Sequence, residues 1–370
     1  YLNFDKTPVS ETILQEMCRI LSHRGPDNHG IFKDFDLGLS HTRLSIIDLT
    51  SAGNQPMQTE DERYVISYNG EVFNFREIRK ELITLGWHFN SASDCEVVLK
   101  SLVQWGSNAI KKFNGQFAFA FWDRKEKVLI LSRDRYGIKP LYFYKNNKLL
   151  VFGSEIKAIL THPKVKLEIN KEGLLEYLSF QNFLSQQTLF KNINILEAGS
   201  FYTFKSDSTF NKEKYWDFNF EEPTINKLSI DECREECNYL LKQAVKRQLV
   251  SDVEIGSYLS GGMDSGTIAA IASKHLNHLR TFTCGFDLTS ASGIERGMDE
   301  REQAEYMSSI FKTEHYQVVL KAGDMEKIIR KLVWHIEEPR VGQSYPNFYA
   351  SQLASKFCKV VLSGDGGDEI

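Results

Sequence analysis

A pair of glycines between two apolar segments is the feature that most constrains how this chain folds. Residues 253–259 have the pattern of a buried strand, and the small apolar residues 267–271 have the pattern of a buried helix. Glycine permits positive φ and lets a ligand approach the backbone, and the N–H groups that begin a helix favour an anion. The sequence therefore predicts an anion-binding turn at Ser260-Gly261-Gly262-Met263-Asp264-Ser265.

Two alternatives, a P-loop and a plain capped turn, fit this segment less well than an anion-binding turn of another kind. The P-loop of ordinary NTPases needs a Lys-Ser or Lys-Thr pair after the glycines, and none follows here. A plain strand-to-helix turn needs only a capping serine. It does not need two glycines, an acid and two hydroxyls at this spacing. The run resembles the pyrophosphate loop of the ATP pyrophosphatases. That resemblance implies that ATP is cut between its α and β phosphates.

Length and composition narrow the class of protein. A chain of 370 residues is long enough for two domains of roughly 150 residues each. The net charge of -4 argues against nucleic acid as a general partner, because no basic excess is present to neutralise phosphates. No apolar run reaches the roughly 18 residues that span a bilayer, and no charged-then-apolar leader opens the chain. We therefore expect a cytosolic protein with no membrane partner.

The cysteines do not indicate a scaffold. Six in so long a chain are too sparse for a disulfide framework, and none forms a Cys-x-x-Cys metal pair. Cys233 and Cys237 are four residues apart on a predicted helix, where buried structural thiols are the favoured interpretation.

The first half of the chain shows many strand-like runs and a few helices, a pattern compatible with helices packed on antiparallel sheets. Within it, Asn69-Gly70 taken alone favours a hairpin turn. The surrounding blocks suggest another use for this pair. They are His23-Arg24-Gly25-Pro26-Asp27, His41 to Asp48, Tyr68-Asn69-Gly70-Glu71, Ser93-Asp94-Cys95-Glu96 and Arg133 to Leu141.

Together these blocks resemble the glutaminase domain of glutamine-hydrolysing asparagine synthetases. They stand in the family's order and are followed by the pyrophosphate loop, so the resemblance covers nearly the whole chain. It implies an α+β first domain over residues 1–205, of the Ntn-hydrolase type with antiparallel sheets sandwiched by helices. The polar composition of Lys205 to Thr209 and of Glu221-Glu222-Pro223 predicts a linker at 206–228. An α/β ATP-pyrophosphatase domain with a parallel sheet at 229–370, incomplete at its C-terminus, would follow.

The resemblance also implies where glutamine binds. Its carboxylate would meet the planar fork of Arg43, within a binding run of Arg43, Leu44, Ser45, Ile46 and Ile47. Its ammonium would meet Asp94. Asn69 and Gly70 would donate to the oxyanion that forms when the amide carbon is attacked, and Glu71 would close the pocket.

The nucleophile of this family is a cysteine at the mature N-terminus, with its own α-amine as the base. Family members carry a segment resembling Met-Cys-Gly-Ile-x-Gly just before the position of Tyr1. We therefore expect that a few residues, including the nucleophile, are missing from this sequence. As it stands, the chain would bind glutamine without hydrolysing it.

Strands alternate with helices in the second half, which predicts a parallel sheet with ligands at the carboxyl ends of its strands. A second acidic loop directly follows the strand Val360-Val361-Leu362. Alone it would fit an acidic surface turn. Beside the first loop it resembles the second ATP-site block of the family, and it reads Ser363-Gly364-Asp365-Gly366-Gly367-Asp368-Glu369.

The ATP site implied by the resemblance draws on both loops and on Cys284. Mg²⁺ prefers about six oxygen ligands and takes one or two protein carboxylates, a role implied for Asp264 and Asp368. Asp365 stands where many members have a glutamate thought to help the ammonia step. The remaining ATP contacts would come from Leu259, Ser260, Gly261, Gly262, Asp264, Ser265, Cys284, Ser363 and Gly364.

These assignments imply a glutamine-dependent, AMP-forming amidotransferase whose leading reaction converts aspartate to asparagine with ATP and Mg²⁺. A close alternative aminates another carboxylate, such as a sugar acid. An alternative of another class is a glutamine or nucleotide sensor that has lost catalysis. Similar enzymes are often homodimers, which makes a homodimer an expectation here.

Overall fold

The computed structural model of the protein describes residues 1–219, 229–289, 297, 299–342 and 344–367. The chain divides into two compact units, Tyr1–Glu221 and Glu222–Ile370.

The first unit is built on two six-stranded sheets in which every pairing between strands is antiparallel. The first sheet has the order β10-β8-β9-β1-β3-β2, and its strands are β1 (Leu2–Asn3), β2 (Asn28–Asp34), β3 (Leu37–Arg43), β8 (Tyr142–Lys145), β9 (Leu149–Gly153) and β10 (Ile193–Ile195). The second has the order β12-β11-β7-β6-β5-β4, and its strands are β4 (Met57–Gln58), β5 (Tyr64–Val72), β6 (Gly115–Asp123), β7 (Val128–Arg133), β11 (Ser200–Lys205) and β12 (Phe210–Lys214).

The main core lies between these two sheets. Successive side chains of a strand point to opposite faces, so every second residue of β6 faces the other sheet. Ala118, Ala120 and Trp122 occupy that face and pack in one buried cluster with Leu39 and Phe152 of the first sheet. The intervening residues of β6 are buried as well, which explains why this strand reads as an almost unbroken apolar run.

Helices cover the outer faces of the sandwich. Leu14 and Met17 of the first helix pack with Ile156 and Ile159 of a later one against Val151 of β9. The third helix packs against β5 and is buried from Asp94 to Leu102. The expected antiparallel sheets sandwiched by helices are therefore confirmed. The helices are α1 (Glu11–Ile20), α2 (Phe75–Thr84), α3 (Asp94–Trp105), α4 (Asn108–Lys112), α5 (Ile156–Leu160) and α6 (Lys171–Phe180).

The second unit contains a parallel four-stranded sheet of order β15-β14-β13-β16, which confirms the predicted α/β architecture. Its strands are β13 (Ile255–Tyr258), β14 (Arg280–Phe286), β15 (Glu314–Leu320) and β16 (Val360–Leu362). Its helices are α7 (Ile230–Gln248), α8 (Met263–Ala272), α9 (Arg301–Phe311), α10 (Asp324–Ile336) and α11 (Ser344–Ala354). A capping box joins Ser229 and Glu232 at the start of α7.

Part of the predicted linker is a strand. Residues Phe210–Lys214 form β12, which pairs with β11 at the edge of the second sheet. The polar residues Lys205 to Thr209, whose composition suggested a linker, make the hairpin turn between these strands, where Lys205 N–H donates to Thr209 O at 3.0 Å. Residues 220–228 of the predicted linker lie outside the described residues.

The interpretation of Cys233 and Cys237 as buried thiols is wrong, because both side chains are exposed. Only the end of α7 packs into the core of the unit, through Val245 and the following Leu249. The early turns of the helix, which carry both cysteines, therefore face solvent. Among the described helices, none is long and apolar enough to cross a membrane.

A substitution between the two sheets tests this architecture. Leu131 is fully buried in the inter-sheet core. We expect Leu131→Ala to lower the free energy of unfolding by about 2–5 kcal/mol, because it removes buried apolar contacts and leaves a cavity. Urea unfolding followed by tryptophan fluorescence measures this change. Ile83→Ala on α2, where Ile83 is 54% exposed, is the control and should change it by about 0.5 kcal/mol or less. Equal effects of the two substitutions would contradict the assigned core.

Candidate active sites

A cavity of about 340 Å³ opens in the first unit and is lined by residues from both sheets. It brings together residues that are far apart in the sequence, and Tyr1 also borders it. Ser45 is absent from the lining, because it is buried elsewhere and its N–H donates to Asp27 Oδ2 at 2.8 Å. The predicted glutamine-binding residues that line the cavity are Arg43, Leu44, Ile46, Ile47, Asn69, Gly70, Glu71 and Asp94.

Strand β5 presents three of the polar side chains to this cavity. Ser67, Asn69 and Glu71 alternate along the strand and therefore point to the same face. The Ser67 hydroxyl lies 3.3 Å from Nδ1 of His41 on β3, so the two sheets meet here. Asn69 and Gly70 pair with Ala118 and Phe117 of β6 in the body of the strand. The hairpin-turn alternative for Asn69-Gly70 is therefore wrong.

The far edge of β5 offers unpaired backbone donors. Its neighbour β4 pairs only with Val65 and Ile66, so the edge is open beyond them. Tyr68 N–H donates to Gln55 Oε1 at 2.7 Å, and Val72 N–H donates to Asp94 Oδ2 at 3.1 Å. Because donors alternate along an antiparallel strand, Gly70 N–H points to the same edge, between these two. No hydrogen bond from Gly70 N–H to a described residue accompanies theirs.

Two buried polar atoms beside Gly70 are also unpartnered. The Asn69 Nδ2 amide and the Glu71 Oε1 carboxyl oxygen have no hydrogen-bond partner among the described residues. Burying such groups without a partner costs about 1–3 kcal/mol each, so unsatisfied groups that line a cavity indicate a ligand site. A neutral amide group offers the complementary set, since its oxygen accepts and its nitrogen donates.

The pKa of Glu71 is raised to about 8, chiefly by burial and then by the nearby Asp94 carboxylate, while Lys139 opposes the shift. Burial also raises the pKa of Asp94, although Tyr68 Oη donates to its Oδ2 at 2.7 Å. Ser93 caps α3 at the residue before Asp94, which fixes this carboxyl group at the wall of the cavity. Two acids thus share one small, poorly solvated space.

The fork of Arg43 is used by the protein's own loop. Its Nη1 donates to Thr50 O at 2.7 Å and to Asn54 Oδ1 at 2.9 Å, and its Nη2 donates to Asp48 O. Gly53 allows this, because a Cβ there would lie 2.9 Å from the Arg43 Cζ. In this structure the planar fork that was expected to take the glutamine carboxylate holds the binding run in place.

Sequence reasoning assigned no role to several other residues that line the cavity. Arg24 pairs with Glu155 at 2.9 Å, so the His23-to-Asp27 block is tied to a helix start 131 residues away. Burial lowers the pKa of His41 to about 4, which makes its imidazole neutral. Lys139 belongs to the Arg133-to-Leu141 block. The resemblance of that block to the family is the only sequence feature that could have indicated a role for Lys139. The unassigned polar residues include Arg24, His41, Gln116 and Lys139.

In the second unit, the glycine turn joins β13 to α8 as predicted. Gly262 is the N-cap of α8 with no side-chain cap, so the serines do not act as a simple helix cap. Instead, Ser265 Oγ accepts from Ser260 N–H at 3.1 Å and lies 2.8 Å from Ser260 Oγ. Gly262 N–H donates to Ser260 Oγ at 3.1 Å. The hydroxyls therefore shape the turn around the start of the helix.

The second acidic loop lies against the first. A Cβ on Gly364 would lie 2.8 Å from Ser265 N, and one on Gly367 would lie 2.5 Å from Asp264 Cγ. Only glycines at these positions let the backbone come so near to the Asp264 carboxylate. Asp365 is exposed, and its N–H donates to Ser363 Oγ at 3.2 Å. The predicted metal ligand Asp368 lies outside the described residues.

The sheet topology explains why the loops meet. β13 pairs with β14 on one side and with β16 on the other, so the order of the strands reverses at β13. Parallel strands on the two sides of such a point leave a crevice at their carboxyl ends, where α/β proteins bind ligands. The Ser260 loop and the Ser363 loop follow β13 and β16 at this end.

Two other predicted ATP residues flank this crevice in different ways. Leu259 is 1% exposed and packs in the core, while its N–H donates to Phe282 O at 3.0 Å. Its side chain therefore anchors the start of the Ser260 loop in the core of the unit and does not face the crevice. Cys284 near the end of β14 is partly buried, and burial raises its pKa to about 12, which keeps the thiol protonated.

Comparisons with known proteins match both units. Residues 2–216 match the family model described as a glutamine amidotransferase domain, and residues 236–370 match the one described as asparagine synthase. A protein provisionally named glutamine-hydrolysing asparagine synthetase 2 from Methanocaldococcus jannaschii is 35% identical over 100% of this chain and 73% of its own length. Glutamine-hydrolysing asparagine synthetases 1 and 3 of Bacillus subtilis are each 34% identical, over 99% and 100% of this chain.

The chain spans 57% and 62% of the lengths of those two Bacillus relatives. The matches nevertheless run through the cavity residues of the first unit and both loops of the second. The chain belongs to the family of glutamine-hydrolysing asparagine synthetases.

Proposed function

We propose that the protein is a glutamine-dependent asparagine synthetase, in which the first unit hydrolyses glutamine and the second activates aspartate with ATP. The observation that carries this proposal is that Asn69 Nδ2, Gly70 N–H and Glu71 Oε1 lie at one cavity wall and have no hydrogen-bond partner in the part of the chain that the structure describes. In a chain of this family, a side-chain amide is the group that satisfies all three.

Glutamine would enter the cavity with its side-chain amide at β5. The amide oxygen would accept from Asn69 Nδ2 and Gly70 N–H, which also stabilise the oxyanion after attack on the carbon. The amide nitrogen would donate to Glu71. The ammonium of glutamine would lie near Asp94, and the loop held by Arg43 would bound the carboxylate.

The nucleophile would be the N-terminal cysteine that the family resemblance places ahead of Tyr1. Tyr1 borders the cavity, so a residue that precedes it would be close to the amide carbon. Attack forms a thioester and releases ammonia, and water then releases glutamate. The ammonia is used at the second unit, where it replaces AMP on the activated carboxylate.

ATP would bind with its phosphates at the start of α8, where the N–H groups favour an anion. Ser260, Gly261, Gly262 and Ser265 would hold the departing pyrophosphate. The aspartate side-chain carboxylate would attack the α-phosphate, so that pyrophosphate leaves and a mixed anhydride with AMP forms. Positioning two anions against each other is the main task of such a site.

Mg²⁺ fits the residues that the structure describes here. The Asp264 carboxylate lies against the backbone of Gly367 in the second loop, and carboxylate oxygens suit Mg²⁺. Asp264 would hold it, with Asp368 as the second carboxylate. Bound Mg²⁺ would neutralise phosphate charge in the reaction.

A second candidate keeps this chemistry and replaces aspartate with another carboxylate, such as a sugar acid. Asp365 is the reason to retain this second candidate, since many family members carry a glutamate where this chain has the shorter acid. A cytosolic location, where ATP and glutamine are supplied, and a homodimer complete the proposal. The homodimer rests on the resemblance.

The acceptor can be tested with the full-length protein, including the residues ahead of Tyr1. Incubation with glutamine, ATP and Mg²⁺ plus aspartate should give equal amounts of asparagine, AMP and pyrophosphate. Omitting aspartate is the control and should leave AMP at background. If aspartate yields no AMP while a sugar acid does, the second candidate replaces the first. If the mature protein has no cysteine ahead of Tyr1 and no acid yields AMP, the sensor alternative replaces both candidates.

Asn69→Ala should lower kcat for glutamine hydrolysis by about 10²–10³-fold, because one oxyanion donor is lost. Synthesis with added ammonium salt should stay near the wild-type rate, since ammonia bypasses the first site. Glutamate release and asparagine formation, measured separately, check both statements. Unchanged glutaminase activity would remove Asn69 from the oxyanion site.

Asp264→Asn should lower synthesis by at least about 10²-fold while glutaminase activity persists, because a carboxylate beside the phosphates is lost. The matched control is Asp252→Asn, where Asp252 is exposed and stands at the amino end of β13, opposite the loops. The control should retain both activities. Loss of both activities in Asp264→Asn, with unfolding excluded by an unchanged melting temperature, would contradict two separate sites.

A further inference from the structure

The cavity of the first unit contains a cation that the glutamine site described above does not use. Lys139 lines it, and its ammonium makes no hydrogen bond or ion pair with any described residue. Burying a charged amine is unfavourable unless an opposite charge or a ligand compensates it. Lys139 therefore has either a structural or a chemical reason to be here.

The backbone of Lys139 is fixed by a buried carboxylate. Asp134 is fully buried, and its Oδ2 accepts from Lys139 N–H at 2.9 Å and from Phe117 N–H at 3.2 Å. Arg133 Nε donates to Lys139 O at 2.9 Å on the other side. Pro140 follows and restricts the chain further. The loop between β7 and β8 thus holds the side chain at the cavity by means of its main chain alone.

Lys139 shares the cavity with Glu71 without touching it. No ion pair within 4.0 Å joins them in the described part of the chain, and Glu71 Oε1 has no hydrogen-bond partner. A direct pair would consume the acceptor that a ligand needs. Because Lys139 does not touch Glu71, the carboxyl oxygen stays available to a ligand. The nearby positive charge still favours the ionised form of the carboxyl group.

We propose that Lys139 is a positioning residue for the glutaminase reaction, whose ammonium favours the ionised form of the Glu71 carboxylate, which accepts a hydrogen bond from the amide nitrogen of glutamine. This inference rests on the proposed function, because it assumes that glutamine occupies the cavity. Lys139 itself need not contact the reacting atoms.

The charges around Glu71 and Lys139 support this division of roles. Burial and Asp94 both raise the pKa of Glu71, and Lys139 is the group that lowers it. Burial lowers the pKa of Lys139, as does Arg24, whereas Glu71 and Asp134 raise it. Arg24 is already paired with Glu155. The other titratable or charged side chains facing the same cavity are Tyr1, Tyr68, His41 and Arg43.

The direction of the pH effect follows from these shifts. An acid whose pKa is raised to about 8 becomes an acceptor only as the pH rises through that value. Removing a nearby cation raises the pKa of the acid further. The activity that depends on ionised Glu71 should therefore begin at higher pH when Lys139 is neutralised.

The test is the pH profile of kcat/KM for glutamine, measured as glutamate release by full-length protein. The rising limb near pH 8 should move up by about one pH unit in Lys139→Met, which lowers kcat/KM about tenfold below the limb. Lys139→Arg should restore the wild-type position. Lys148→Met is the matched control: Lys148 is exposed in the turn between β8 and β9, and its loss should leave the limb unmoved.

Two further measurements separate a positioning role from a structural one. Ammonia-dependent asparagine synthesis and the melting temperature of Lys139→Met should equal those of wild type. NMR titration of ¹³C-labelled glutamate side chains should show the most alkaline resonance moving upward in Lys139→Met and missing in Glu71→Gln. This second readout does not depend on activity.

The outcomes are distinct. An unmoved limb and an unmoved Glu71 resonance in Lys139→Met, with wild-type glutaminase active, overturn the inference and leave the proposed function intact. The inference is also overturned if Lys139→Arg behaves like Lys139→Met. A wild-type protein that carries its N-terminal cysteine and releases no glutamate overturns the proposed function, and the inference with it.

Discussion

The cavity proposed to bind glutamine depends on β5, a strand that extends beyond its neighbour β4. β4 pairs with β5 only at Val65 and Ile66, so the edge beyond them must satisfy its backbone N–H groups in another way. Gln55 takes the donor of Tyr68, and Asp94 takes that of Val72. Gly70 stands between them with its donor facing the cavity. The unpaired edge of this sheet is here divided between protein side chains and the cavity.

The rest of the first unit supports that edge. The inter-sheet core fixes β5 and β6, the cap at Ser93 fixes Asp94, and the guanidinium of Arg43 fixes the run that follows β3. In the second unit the corresponding constraint is the reversal of strand order at β13, which brings two glycine-containing loops to one crevice. Both sites use glycines where a backbone must approach another group closely.

Much of the fold and many of the candidate site residues could be predicted from the sequence, because the site residues stand in short, recognisable sequence blocks. The glycine turn, the second loop, the parallel sheet and the antiparallel sandwich all follow from patterns and from the family resemblance. The hairpin at Lys205 to Thr209 has the composition of a linker, because polar turn residues look alike in both settings. Cys233 and Cys237 looked buried, because helical spacing does not tell which turns of a helix reach the core.

Other features need the register of the sheets. No local pattern indicates that Gly70 faces an open edge, that the fork of Arg43 is used by its own loop, or that Lys139 shares a cavity with Glu71. The open edge at Gly70 arises from the exact pairing of strands, and the shared cavity of Lys139 and Glu71 arises from contacts between residues far apart in the sequence. The contacts of Arg43 arise from the way the loop after β3 folds back onto its guanidinium. These three features determine which donors, acceptors and charges face the cavity.

The central claim is that nitrogen released from glutamine at the first unit ends in the amide made at the second, with ATP cleaved to AMP. The most direct measurement supplies full-length protein with glutamine labelled with ¹⁵N in its side-chain amide, together with aspartate, ATP and Mg²⁺. The proposed function predicts ¹⁵N in the side chain of asparagine and one AMP for each labelled product. Label that appears only as free ammonium, or ATP cleaved to ADP, would contradict it.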